Sequence, residues 1–135
     1  MRLFFWIIAL LAAGGAGYVR LAPHDTEKVH APIEGAQDQD MSTGAVRVIP
    51  ADTAMFEAAV AYMENLPRTE RLAGDVASGR VTFVTRSRVF GFPDYTTLEL
   101  SNGRLKAFAR LRFGQSDMGV NRERLEGLFA TLQAG

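Results

Sequence analysis

Two stretches of the chain gather the residues best suited to chemistry. Arg86, Arg88 and Asp94 flank a Gly91-Phe92-Pro93 turn, and Arg112, Ser116, Asp117, Asn121 and Arg122 crowd a second stretch. Guanidinium forks hold carboxylates and phosphates in bidentate fashion, and backbone N–H groups at a helix N-terminus add to that pull. One expectation is therefore an anion-binding or partner-binding site. The same residues also suit a structural charge network. Asp94 and Asp117 would neutralise arginines, Ser116 or Asp117 would cap a helix, and Gly114 and Gly119 would let the turn form. Each acid has an arginine close in sequence, and capping alone explains Ser116-Asp117. That favours the structural reading and leaves the anion site as its rival.

Other candidates for chemistry are weaker. His24 and His30 lie six residues apart with acids nearby, but no third ligand stands at metal-binding spacing. Both precede Ala45, so Ser87 and Ser116 have no histidine in the expected domain to activate them as nucleophiles. Acid–base work by Asp94 or Asp117 needs a raised pKa, and neighbouring arginines push the other way. Gly14-Gly15-Ala16-Gly17 sits in an apolar run rather than a phosphate-binding loop. No cysteine is present, which excludes a disulfide framework, a cysteine nucleophile, Fe–S ligation and a lipidated cysteine. No catalytic residue, metal or cofactor is assigned, and nothing points to nucleic acid.

The elements that must position the charged stretches are legible from spacing. Ala45 to Ile49 reads as a strand ended by Pro50. Asp52 reads as the N-cap of a helix whose apolar face carries Met55, Phe56, Ala59, Val60 and Met63, and Leu66-Pro67 stops it. Thr69 to Ala73 is a brief strand, Gly74 to Gly79 a turn, and Val81 to Arg88 a stronger strand. Asn102-Gly103 is a two-residue hairpin turn of the primed type. Its register sets Leu100 opposite Leu105, Leu98 opposite Ala107 and Thr96 opposite Ala109, with Leu111 and Phe113 continuing that core face. The other face pairs Glu99 with Lys106, Thr97 with Phe108 and Tyr95 with Arg110, and an opposite-charge pair in register supports the assignment. Asp94 then falls opposite Leu111, beside Arg112, so the two charged stretches should meet at one end of the sheet. A last helix runs from about Asn121 to Gln133, with Leu125, Leu128, Phe129 and Leu132 on one stripe. The fold expected is α+β: a small antiparallel sheet with two helices on one face, after an N-terminal hydrophobic helix.

That first helix is an uncharged run from Leu3 to Val19. Seventeen helical residues span roughly 25 Å against a hydrocarbon core of about 30 Å, and Arg20 can snorkel to extend the reach. Trp6 and Tyr18 stand where interfacial aromatics belong. A cleaved signal peptide, with small residues from Ala12 to Gly17 at the cleavage site, is the rival reading. Either way residues 1–22 direct the rest out of the cytoplasm, with 23–42 as a tether and 43–135 as the domain. Charge is uneven along the chain: residues 21–79 carry four bases against ten acids, and residues 80–135 carry nine bases against five. The basic part could attract phosphates or acidic lipid heads, but such parts more often pair with the acidic half.

The stretches Arg86-Ser87-Arg88-Val89-Phe90-Gly91-Phe92-Pro93-Asp94 and Arg112-Phe113-Gly114-Gln115-Ser116-Asp117-Met118-Gly119-Val120-Asn121-Arg122 resemble the motifs of the bacterial domain of unknown function 1499 family. Arg20-Leu21-Ala22-Pro23 is similar to that family as well. Leu111 departs from it where serine is expected, as does Val29, before His30, where tryptophan is expected. The resemblance implies an architecture and a bacterial origin and carries no activity. The function expected is a non-catalytic envelope domain, in the inner membrane with a periplasmic domain or secreted after cleavage. Its partner would be an envelope protein or a small anion. The alternative is a hydrolase-like enzyme using Asp94 or Asp117.

Overall fold

The computed structural model describes residues 1–134. Helix α1 (Arg2–Leu21) projects with none of its residues buried. The helix is long and apolar enough to cross a membrane. After it come α2 (Thr26–Val29), β1 (Gln39–Met41), β2 (Gly44–Pro50), α3 (Thr53–Glu64), β3 (Thr69–Asp75), β4 (Arg80–Arg86), β5 (Pro93–Ser101), β6 (Arg104–Leu111) and α4 (Val120–Ala134). The six strands form one sheet in the order β1-β2-β6-β5-β4-β3, every neighbouring pair antiparallel. The α+β architecture expected from the sequence is the one observed.

Local chemistry accounts for the boundaries. The Asp52 carboxylate accepts the Met55 N–H at 2.8 Å and starts α3, satisfying one of the donors a helix start leaves orphaned. Asn102 and Gly103 both have positive φ, 53° and 72°, as a primed turn requires. The β5–β6 register is the one the turn dictates, from Leu100 opposite Leu105 to Asp94 opposite Leu111. Helices α3 and α4 cover one face of the sheet and touch each other. Phe56, Met63, Phe83, Leu98, Leu105, Leu125 and Leu128 fill the layer between. Burying each such side chain contributes about 1.5–3 kcal/mol, so this layer holds the sheet in shape.

The structure corrects three details. The strand expected to reach Arg88 ends at Arg86, because Ser87 closes a loop: its N–H donates to the Phe92 carbonyl and its hydroxyl accepts the Phe92 N–H. Phe113 does not continue the core face; the chain has left the sheet by then, and its ring meets Tyr18 of α1 edge-on at 6.3 Å. Residues 23–42, expected to be a featureless tether, contain α2 and β1 and cross the sheet's second face, with Ile33 buried there. The periodicity that marks a helix or strand is missing because the segment is fixed by single hydrogen bonds to the sheet. The carbonyl of Ala22, just before the segment, and those of Pro23 and Val29 within it accept from Arg112 and Arg110.

Candidate functional site

Side-chain alternation along a strand sends Asp94 and Arg112 to opposite faces, and the expected charge cluster divides accordingly. Asp94 points toward α4. Its carboxylate accepts from the Asn121 amide at 3.2 Å and lies 3.6 Å from Arg124, while Asn121, fully buried, also accepts from Arg124. Burial pushes the Asp94 carboxyl up, more than Arg124 and Asn121 pull it down, contrary to the expectation that arginines would dominate. Asp117 instead holds the turn into α4, accepting from the N–H groups of Gly119 at 2.9 Å and Asn121 at 3.1 Å. Burial alone would raise the Asp117 carboxyl, but these hydrogen bonds hold it below the usual range. Ser116 accepts the Met118 N–H. Arg122 is exposed and lies 3.9 Å from Glu126 one turn along α4. Ser116 and Asp117 hold the turn as the structural reading expected. Among the described residues, however, Asp117 has no arginine within ion-pair distance, and the arginine beside Asp94 is Arg124, outside the expected cluster.

The second face carries a network that joins Arg112 of that cluster to residues outside it. Arg112 donates to the carbonyls of Ala22 and Pro23 and to His24 Nδ1 at 3.3 Å. His24 Nδ1 also shares a 2.7 Å hydrogen bond with the Tyr95 hydroxyl. His30 bonds Thr82 at 2.7 Å, Thr82 bonds Thr97 at 2.9 Å, and Arg110 donates to Thr97 at 2.9 Å and to the Val29 carbonyl at 2.6 Å. Burial, aided by Arg112 and Arg86, lowers the His24 pKa. Burial and Arg80 lower that of His30, against the pull of Glu99. Arg110 lies over the Phe108 ring, 4.4 Å from its centroid, and burial lowers its pKa to about 10. The histidines thus belong to the fold, and neither hydrogen bond reaches Ser87 or Ser116. The register read from the hairpin turn already sets Tyr95, Thr97 and Arg110 on this one face. Nothing in the spacing of His24 and His30 marks them as their partners.

Arg86 and Arg88, the remaining members of the expected cluster, face a cleft of about 500 Å³ at the α1 end of the sheet. Arg20 from α1 and Arg68 from the turn before β3 line it too, with Glu70 the one acid among the lining residues. Arg86 donates to the Gly91 carbonyl at 3.0 Å, and Arg68 to the Arg86 carbonyl at 3.0 Å. Among the described residues, no carboxylate lies within ion-pair distance of any of these four guanidiniums. Gathering four like charges without counter-ions is unfavourable unless water or an anion screens them. The arrangement suits a multiply charged oxyanion, which arginine forks grip through paired N–H···O bonds. Comparison with known families matches residues 19–132 to a protein of unknown function, DUF1499. The search of curated proteins found no match.

Proposed function

This chain belongs to the DUF1499 family of proteins of unknown function, and we propose that it is a membrane-tethered, non-catalytic envelope domain that binds an anionic group in the Arg20, Arg68, Arg86 and Arg88 cleft. The observation that carries the reading is those four guanidiniums around one cleft, with no ion-pair partner among the described residues. Asp94 and Asp117 are not among the residues lining it, which leaves the hydrolase-like alternative without either carboxylate beside a bound anion. The length and composition of α1 support the tether. The domain would lie on the outer side of the inner membrane, or in the periplasm after cleavage of α1.

Two measurements test this. Alkaline phosphatase fused after Gly135 should be active, and a reporter that works only in the cytoplasm should be silent there; the reverse result removes the export reading. Thermal melts of the full chain in non-ionic detergent should rise saturably with phosphate or pyrophosphate. A ligand at a hundredfold its Kd stabilises by about 2.7 kcal/mol. A flat response to both anions and to dicarboxylates removes the cleft from the account.

A further inference from the structure

We infer that the anion is the headgroup of an acidic phospholipid, and that the β4–β5 loop tip dips into the same membrane surface from which α1 emerges. The inference rests on the cleft reading above and adds what the cleft is for. In that loop Val89, Phe90 and Phe92 are 76%, 61% and 41% exposed. The rings of Phe90 and Phe92 stack at 5.5 Å with an interplanar angle of 24°. Three neighbouring apolar side chains turned outward, two of them stacked together, suit an apolar or interfacial medium.

Position identifies that medium. Gly91, buried at the centre of the loop, lies against Arg20 of α1, so close that an added Cβ would stand 3.0 Å from the arginine Nε. Arg20 follows directly on the uncharged run Leu3–Val19, and a basic residue there stands at headgroup level once that run is in the hydrocarbon. The loop packed on Arg20 stands at the same depth. Phe113, beyond the end of β6, meets Tyr18 of α1, so a second sheet-end loop shares that level. Phospholipid phosphates lie just outside the hydrocarbon, at the level where Arg20 and its neighbours Arg86 and Arg88 line the cleft. Each basic side chain near an anionic leaflet adds to the attraction. Arg88 and Val89 are adjacent in the chain, so apolar tip and cationic cleft would engage one surface together.

The test uses the full chain in lipid nanodiscs. Trp6 is the single tryptophan, so Trp6→Phe with Phe90→Trp places one reporter at the loop tip, an exposed position that tolerates the ring. In discs rich in phosphatidylglycerol its emission should be blue-shifted and quenched by lipids spin-labelled near the headgroup. Quenching should be clearly weaker in purely phosphatidylcholine discs and in Arg88→Glu, whose melt in detergent checks that it folds. A water-like, unquenched emission in both discs overturns the inference. So does quenching that is equal in both and unchanged by Arg88→Glu. If pyrophosphate stabilises the protein in detergent while the loop-tip reporter stays in water, the cleft binds a soluble anion and only the lipid assignment fails. If neither occurs, the cleft reading fails with it.

Discussion

Removing the Asp94 carboxylate should separate the structural half of the charged residues from the binding half. The Asp94 and Arg124 side chains are 20% and 14% exposed, with 3.6 Å between their charged atoms. At an effective dielectric constant of about 20, Coulomb attraction at that distance is roughly 4–5 kcal/mol before desolvation. Desolvation is substantial, since burial raises the Asp94 pKa despite the arginine. The pair is therefore a weak net stabiliser but an expensive one to break. Asp94→Ala leaves the partly buried Arg124 without a counter-ion and deprives the fully buried Asn121 amide of its acceptor. Together these should cost about 2–4 kcal/mol, or roughly 10–15 °C in Tm for a domain of this size. Asp94→Leu combined with Arg124→Met should lose clearly less than the sum of the single changes. Urea and thermal melts of the full chain in detergent give both numbers. A loss below about 1 kcal/mol for Asp94→Ala, or strict additivity in the double variant, would refute the claim that this cluster is a coupled, buried network.

Three further outcomes follow from the geometry. Gly103→Val places a β-branched residue where φ is 72° and should cost on the order of 1–3 kcal/mol; a melt like the wild type's would remove the primed turn. Thr96→Val removes a buried hydroxyl that has no hydrogen-bond partner among the described residues and keeps the shape, so stability should rise by about 1 kcal/mol, and a loss would mean that the hydroxyl is satisfied. His24 and His30 have pKa values lowered by folding. The unfolded chain therefore binds more protons below its ordinary histidine pKa, and stability should fall as pH drops from 7 to about 5.5. The slope should flatten in His24→Gln with His30→Gln, and a slope unchanged by both substitutions would contradict the assignment.

Much of the scaffold is readable without coordinates because it rests on local rules. Asn102-Gly103 determines the hairpin register, Asp52 starts α3, and the Leu125, Leu128 and Phe129 stripe of α4 meets the core. The alternation that sets Leu100 against Leu105 also separates Asp94 from Arg112, so the division of the charged residues between two faces was implicit in the register. Arg124, the partner of Asp94, lies one turn beyond Asn121 on α4 and outside the two charged stretches, and only the packing of α4 on the sheet brings it to Asp94. The course of residues 22–34 was not. It depends on side-chain bonds to a sheet formed 50 or more residues later, such as His30 to Thr82 and Arg112 to Pro23, and no local period encodes such pairings. The arginine cleft likewise joins Arg20, Arg68, Arg86 and Arg88 from three separate stretches of the chain.

Whether that cleft binds an anion is measured most directly by isothermal titration of pyrophosphate into the full chain in non-ionic detergent, alongside Arg88→Leu. Arg88 is exposed and makes no ion pair among the described residues, so its loss should leave the fold intact. The account predicts a saturable one-site isotherm for the wild type, weakened at least tenfold by Arg88→Leu and by raised salt, since roughly 1.4 kcal/mol of lost ion-pair energy is a tenfold change in Kd. Heats no larger than dilution in the wild type, or an isotherm indifferent to Arg88→Leu, would contradict it.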